Sequence, residues 1–307
     1  MKFTIFQESR IGKRKSNQDR NAYCYSRDAL LMVIADGMGG HLHGEIAAQI
    51  AVQFVVQAFQ RSARPTLGDP VFFLSRALTN AHNAILDYAF DKQLEEAPRT
   101  TIVACVVQDG FAHWAHAGDS RLYLVRHGRI ATRTRDHSRV QLMMDQGLID
   151  ANEAAHHPGR NRIYSCLGGN HPPQIEFSKR FQLRDGDVVL MCTDGAWGPF
   201  DDHALCDHFH DRDVINDVPR LLDRAEQLAG NTCDNLSAIA MCWQDEFGPD
   251  SSLADSVSTQ TLALDGFTTR LDTFERTRSQ GKDFDLTDDE IERAIAEINA
   301  AIHKFSK

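Results

Sequence analysis

The sequence predicts an α+β fold, on three observations. Short β-rich runs bounded by turns recur along residues 1–246, two long stretches carry apolar residues at helical spacing, and the strand-like runs follow one another through turns too short for a crossover helix. The turn Arg126-His127-Gly128-Arg129 is of this kind, so hairpins and antiparallel sheets are expected rather than strict βαβ alternation.

In chain order, Leu30 to Ala35 reads as the first buried strand. Glu45 to Gln60 and Val71 to Phe90 lack internal Pro and Gly and read as amphipathic helices covering a sheet. Thr101 to Val107, Leu122 to Val125, Val188 to Cys192 and Ala238 to Trp243 are further buried strands. From 247 to 285 the chain turns rich in Ser, Thr, Asp and Gly, with apolar residues too scattered for a core, and reads as a flexible linker. Residues 286–307 read as a C-terminal amphipathic helix: Thr287 and Glu290 fit a capping box, and Leu286 with Ile291 fits the flanking staple. Its stripe of Ile291, Ile295, Ile298, Ile302 and Phe305 needs a partner, and docking on its own domain is preferred over a protein partner or a second copy.

Composition narrows the function. With 42% hydrophobic and 25% charged residues in 307, collagenous and wholly disordered classes are excluded. The net charge of −10 repels nucleic acid and acidic lipid, so any phosphate must be met at a local site. Seven cysteines without a Cys-x-x-Cys pair suit a reduced interior, and neither a signal-peptide core nor an apolar run of 18 residues occurs. A cytoplasmic protein without nucleic-acid or membrane partners is expected.

The chemistry points to aspartates at strand ends. Asp36 follows Leu31 to Ala35, Asp119 follows Trp114 to Gly118, Asp194 follows Val188 to Thr193, and Asp234 precedes the final strand. Taken singly, an Asp-Gly pair marks a turn. Several carboxylates converging at one end of a sheet repel unless cations neutralise them, and hard oxygen ligands without zinc-type Cys or His pairs suit Mg²⁺ or Mn²⁺. The glycine-dense Asp36-Gly37-Met38-Gly39-Gly40-His41 fits neither nucleotide fingerprint, having no Lys-Ser/Thr and the wrong glycine spacing.

These pieces resemble the metal-dependent PPM (PP2C-type) protein serine/threonine phosphatases in their bacterial form. In family order stand Arg14-Lys15-Ser16-Asn17-Gln18-Asp19, Ala35 to His41 with Gly44-Glu45, Thr100-Thr101, Gly118-Asp119-Ser120-Arg121 and Asp136-His137-Ser138. His157-Pro158-Gly159-Arg160-Asn161, Leu167-Gly168, Thr193-Asp194-Gly195 and Asp234-Asn235 follow. The resemblance covers residues 1–246 and implies a four-layer αββα sandwich, two antiparallel sheets with helices outside. It implies hydrolysis of phosphoserine and phosphothreonine by direct attack of a water bridging two metal ions. It further implies that Asp36 bridges the ions, Gly37 lends a carbonyl to one, and Asp194 with Asp234 completes the other. Asp19 would hold metal-bound water, Asp119 with Asp194 a third, weaker ion, and Arg14 two phosphate oxygens. His41 is the candidate proton donor to the leaving group. The implied partners are phosphorylated proteins and an opposing Ser/Thr kinase or its targets; the rival reading is a non-catalytic phosphoprotein- or kinase-binding module on the same fold. Arg99 departs from the family, which has Gly before the Thr pair, and 139–164 correspond to its variable flap. His203, His208 and His210 read as an exposed helix and its flank, and Cys233 as a packed thiol.

Overall fold

The computed structural model describes residues 1–38, 43–244 and 268–271, and within these it is a sandwich of two antiparallel sheets. One sheet has the order β1 (Lys2–Arg10), β11 (Leu236–Gln244), β10 (Val188–Cys192), β6 (Arg121–Arg126), β7 (Arg129–Arg133), every neighbour antiparallel. The second runs β12 (Thr268–Leu271), β2 (Asp19–Tyr25), β3 (Ala29–Asp36), β4 (Ile102–Gln108), β5 (Phe111–Ala117), β8 (Glu176–Phe177), with β9 (Phe181–Gln182) also on β5.

Period-two burial explains why the central strands read as continuous apolar runs. Leu30, Met32 and Ile34 of β3 and Val103, Cys105 and Val107 of β4 meet Val189 and Met191 of β10 and Ile239, Met241 and Trp243 of β11 between the sheets. The opposite faces of β10 and β11, with Val188, Leu190, Ala238 and Ala240, pack on the helical layer of α5 (Asp194–Trp197), α6 (Asp202–Asp207) and α7 (Val214–Ala229), through Leu205, Val218, Leu221 and Leu222. Strands covered on both faces need no polar alternation.

Helices α1 (Gly44–Ser62) and α2 (Pro70–Asp91) cover the second sheet, α1 lying on β2 and β3 and α2 on β5. The start of α2 is set by Asp69, whose carboxylate accepts from Val71 and Phe72 N–H, and by Pro70 in the first turn. The four-layer expectation is met. The flap region carries two short helices, α3 (Arg139–Asp145) and α4 (Ala151–His156). The stretch 247–285 contributes β12 beside β2, which its turn-rich composition did not suggest. His41 and the helix expected at 286–307 lie outside the described residues. No helix among the described residues is long and apolar enough to cross a membrane.

Candidate metal centre

Strand pairing brings the aspartates together. Asp19 opens β2 and Asp36 closes β3, and the register sets them directly opposite. Asp119 sits in the tight turn between β5 and β6, Asp194 starts α5 just past β10, and Asp234 lies just ahead of β11. Asp36 feels the charges of Asp19, Asp194, Asp119 and Asp234, so residues from both sheets face one another at one end of the sandwich.

Each carboxylate is fixed by neighbours distant in sequence. Asp19 is 2% exposed; its Oδ2 accepts from the Thr193 hydroxyl at 2.8 Å, and that hydroxyl accepts the Ser237 N–H at 3.0 Å. Its Oδ1 is buried with no hydrogen-bond partner among the described residues. The backbone of Asp36 is held by the Thr pair: the Thr100 hydroxyl donates to its carbonyl at 2.8 Å, and its own N–H donates to Thr101 Oγ1 at 3.1 Å. Thr101 Oγ1 in turn meets Ser120 Oγ at 2.7 Å, tying this strand end to the Asp119 turn. Gly37 has no alternative: a Cβ there would run into the carbonyl of Gly44, where the chain returns to begin α1.

The electrostatics show the cost of the arrangement. Burial pushes the Asp19 carboxyl up to about 7, opposed by the Thr193 and Ser237 hydroxyls and reinforced by Asp194 and Asp234. Burial first, then the surrounding aspartates, holds Asp36 well above the usual carboxylate range, and Asp119 likewise under burial and Asp194. Asp194 is raised by burial and Asp234 against a hydrogen bond with Asp36. Buried carboxylates that raise one another, with an unpartnered oxygen among them, are a donor set for hard divalent cations. Mn²⁺ or Mg²⁺ therefore fits the residues present.

Arg14 is set on this cluster by its rim. Its Nε and Nη2 each donate to Asp234 at 2.6 Å, a fork–fork pair with Arg14 more than half exposed. The loop carrying it is clamped by Asn235, whose amide donates to the carbonyls of Ile11 at 2.8 Å and Ser16 at 3.0 Å and whose Oδ1 accepts the Gln18 N–H at 2.9 Å. Arg99 contributes its carbonyl to Met38 N–H at 3.0 Å, while its guanidinium lies 3.9 Å from Glu96. The second histidine group does not converge: His203 is exposed on α6 beside Asp207, and His208 packs edge-on against Phe200. Cys233 is buried, and burial pushes its thiol up.

Sequence reasoning missed a histidine stack behind Asp119. His116 of β5 lies on His137 with ring centroids 4.6 Å apart and planes 27° from parallel, and His137 Nε2 is 3.5 Å from Glu176. The three are close enough to share a cation, but near-parallel rings do not aim their lone pairs at one point. Gly118 N–H moreover donates to His137 Nδ1 at 3.4 Å, which leaves the proton on Nε2 facing Glu176. The stack thus buttresses the Gly118-Asp119 turn. The one signal for it was His137 within Asp136-His137-Ser138.

A sandwich with buried carboxylates from both sheets at one end defines a metal-dependent class of protein. The family model described as Protein phosphatase 2C matches residues 6–229, and the chain belongs to that family. It is 31% identical over 228 residues to the serine/threonine protein phosphatase PstP of Mycobacterium tuberculosis, covering 74% of this chain and 42% of the relative's length. The chain thus spans well under half of that relative. It is 29% identical over 241 residues to the protein phosphatase PhpP of Streptococcus pneumoniae, covering 76% of this chain and 94% of PhpP. The crystal structure of M. tuberculosis PstP/Ppp superposes with a TM-score of 0.70 at 29% identity, over 79% of this chain and 99% of that one. The PstP catalytic domain in complex with two manganese ions gives 0.66 at 29% identity, over 79% and 99%.

Proposed function

We propose that the chain is a metal-dependent protein serine/threonine phosphatase acting on phosphoserine and phosphothreonine in proteins, in the cytoplasm and opposite a Ser/Thr kinase. The observation that carries this is the convergence of five aspartates from both sheets, four of them with raised pKa values. In this reading Asp36 and the Gly37 carbonyl, with Asp194 and Asp234, hold two Mn²⁺ or Mg²⁺ ions, and Asp119 with Asp194 holds a third more weakly. Bound divalent ions supply an acidic water and positive charge for phosphoryl oxygens. Asp19, fixed by Thr193, orders water beside the cluster. His41 is the proposed donor of a proton to the leaving oxygen. Docking of 286–307 on its own domain or on a protein partner belongs to the same proposal.

The binding-only alternative is not favoured. A module without turnover gains nothing from burying mutually repelling carboxylates, which costs stability. Purified protein is expected to release phosphate from phosphothreonine peptides with Mn²⁺ or Mg²⁺. Absence of release with either ion, in protein that binds the ion, would return the chain to the binding-only class.

Arg14 is proposed to bind the phosphate through its planar fork, and its placement on Asp234 keeps the guanidinium at the rim until substrate arrives. Arg14→Ala should raise KM for phosphopeptides about tenfold and lower kcat less than about threefold, the pattern of a contact made alike in ground and transition states. Steady-state kinetics at saturating Mn²⁺ separate the two. A dominant kcat loss would place Arg14 in transition-state stabilisation instead.

A further inference from the structure

We propose that Trp197 is a positioning residue whose indole N–H sets the separation of Asp119 and Asp194 and so the affinity of the weakest metal site. The proposal rests on the metal assignment above and goes beyond it by naming what holds the two ligands apart.

Trp197 is the last residue of the four-residue helix α5, and Asp194 is the first. One turn of helix thus links them rigidly, with Trp197 N–H donating to the Thr193 carbonyl at 3.2 Å and Gly198 N–H to that of Asp194 at 2.7 Å. From the far end of this turn the indole Nε1–H reaches across to the other ligand and donates to the carbonyl of Asp119 at 3.0 Å. Asp119 is 5% exposed, and Asp194 is the strongest charge acting on it.

The indole is itself held. The Arg121 guanidinium lies over its ring at 3.3 Å, with Nε and Nη2 each donating to Asp136 at 2.8 Å and Nη1 to the Tyr123 hydroxyl at 2.8 Å. With the forked pair almost wholly buried, the guanidinium plane has no freedom to turn, and the ring stacked on it cannot tilt. Arg121 lies two residues beyond Asp119 at the start of β6, so the contacts close a ring: Asp119, Arg121, Trp197 and back to Asp119. On the other side His137 N–H donates to the Gly118 carbonyl at 2.9 Å. Asp119 is therefore located from both flanks by groups that carry no metal themselves. A carboxylate pair that must share one ion gains affinity when its spacing is fixed before the ion arrives.

Trp197→Phe keeps the ring beneath Arg121 and removes only the N–H. Calorimetric Mn²⁺ titration of the full chain reads the outcome, with Asp119→Asn marking which event belongs to the third ion. In Trp197→Phe that event should weaken about tenfold, the worth of one hydrogen bond, while the two tighter events keep their affinities. No change, or equal weakening of all events, overturns the proposal and leaves Trp197 a packing residue. If the unmutated chain shows no event that Asp119→Asn removes, the third-ion assignment itself fails, and the proposal with it.

Discussion

Asp36→Asn is expected to lower kcat by about 10³-fold, at the upper end of what removal of one charge-stabilising group costs, without unfolding the protein. Asp36 closes β3 opposite Asp19 and faces Asp19, Asp194, Asp119 and Asp234. In the proposed assignment it is the single side chain shared by both core ions, so the amide removes negative charge from both at once. Its shape is almost that of the carboxylate, and the bonds that place its backbone, to Thr100 and Thr101, do not involve the carboxylate. The fold around it is therefore kept. Burial and four like charges make the ionised carboxylate unfavourable in the metal-free protein, so the neutral amide should raise stability there. The expected signature is opposite movement of two readings: kcat on a phosphothreonine peptide falls, and the unfolding midpoint in chelator holds or rises. A variant that loses activity together with its midpoint would make Asp36 a structural residue.

How far the sequence revealed this depended on what each residue touches. Strands β3, β4, β10 and β11 were legible because both of their faces are buried, which writes an unbroken apolar run into the chain. Edge strand β1 (KFTIFQESR) is half-buried and mixes charge with aromatics, and β5 (FAHWAHA) interleaves His113 and His116, the latter part of the stack behind Asp119, so neither shows a clean period. Helix α7 has the right spacing in Val214, Val218, Leu221, Leu222 and Ala225, but Asp217 and Pro219 interrupt it. Of the proposed metal-site aspartates, Asp36, Asp119, Asp194 and Asp234 stood out because each ends or precedes a strand, whereas Asp19 came only with the family resemblance. Their supports did not: Thr193 reaches Asp19 across 174 residues and Asn235 reaches Ile11 across 224, contacts that leave no local pattern. Trp197 carries no motif of its own, and only the contact of its indole N–H with the Asp119 carbonyl singles it out.

Chelation is expected to abolish turnover and also to make stability fall as pH rises, because the same carboxylates govern both. An acid whose folded pKa lies above its unfolded value binds more protons in the folded state, so its contribution is present below the unfolded value and is lost as pH climbs. Asp19 sets the window, from the ordinary aspartate value of 3.8 up to about 7, and Asp36, Asp119 and Asp194 shift the same way. A counter-trend exists: burial lowers the pKa of His116, and that of His137 to about 4, so they stabilise as pH rises past their folded values. The difference between the parent chain and Asp36→Asn cancels the histidines and isolates Asp36 with its coupling to the other aspartates. In chelator that difference should favour Asn increasingly from pH 5 to pH 7.5, measured by urea unfolding. Mn²⁺ at pH 7.5 should reverse the order, since an ion at 100 times its Kd adds about 2.7 kcal/mol per site and Asn binds it less well. A parent chain whose metal-free stability rises with pH at least as steeply as that of Asp36→Asn would mean that the carboxylates are already neutralised within the fold. The cluster would then need no cation, and the metal assignment would fall with it.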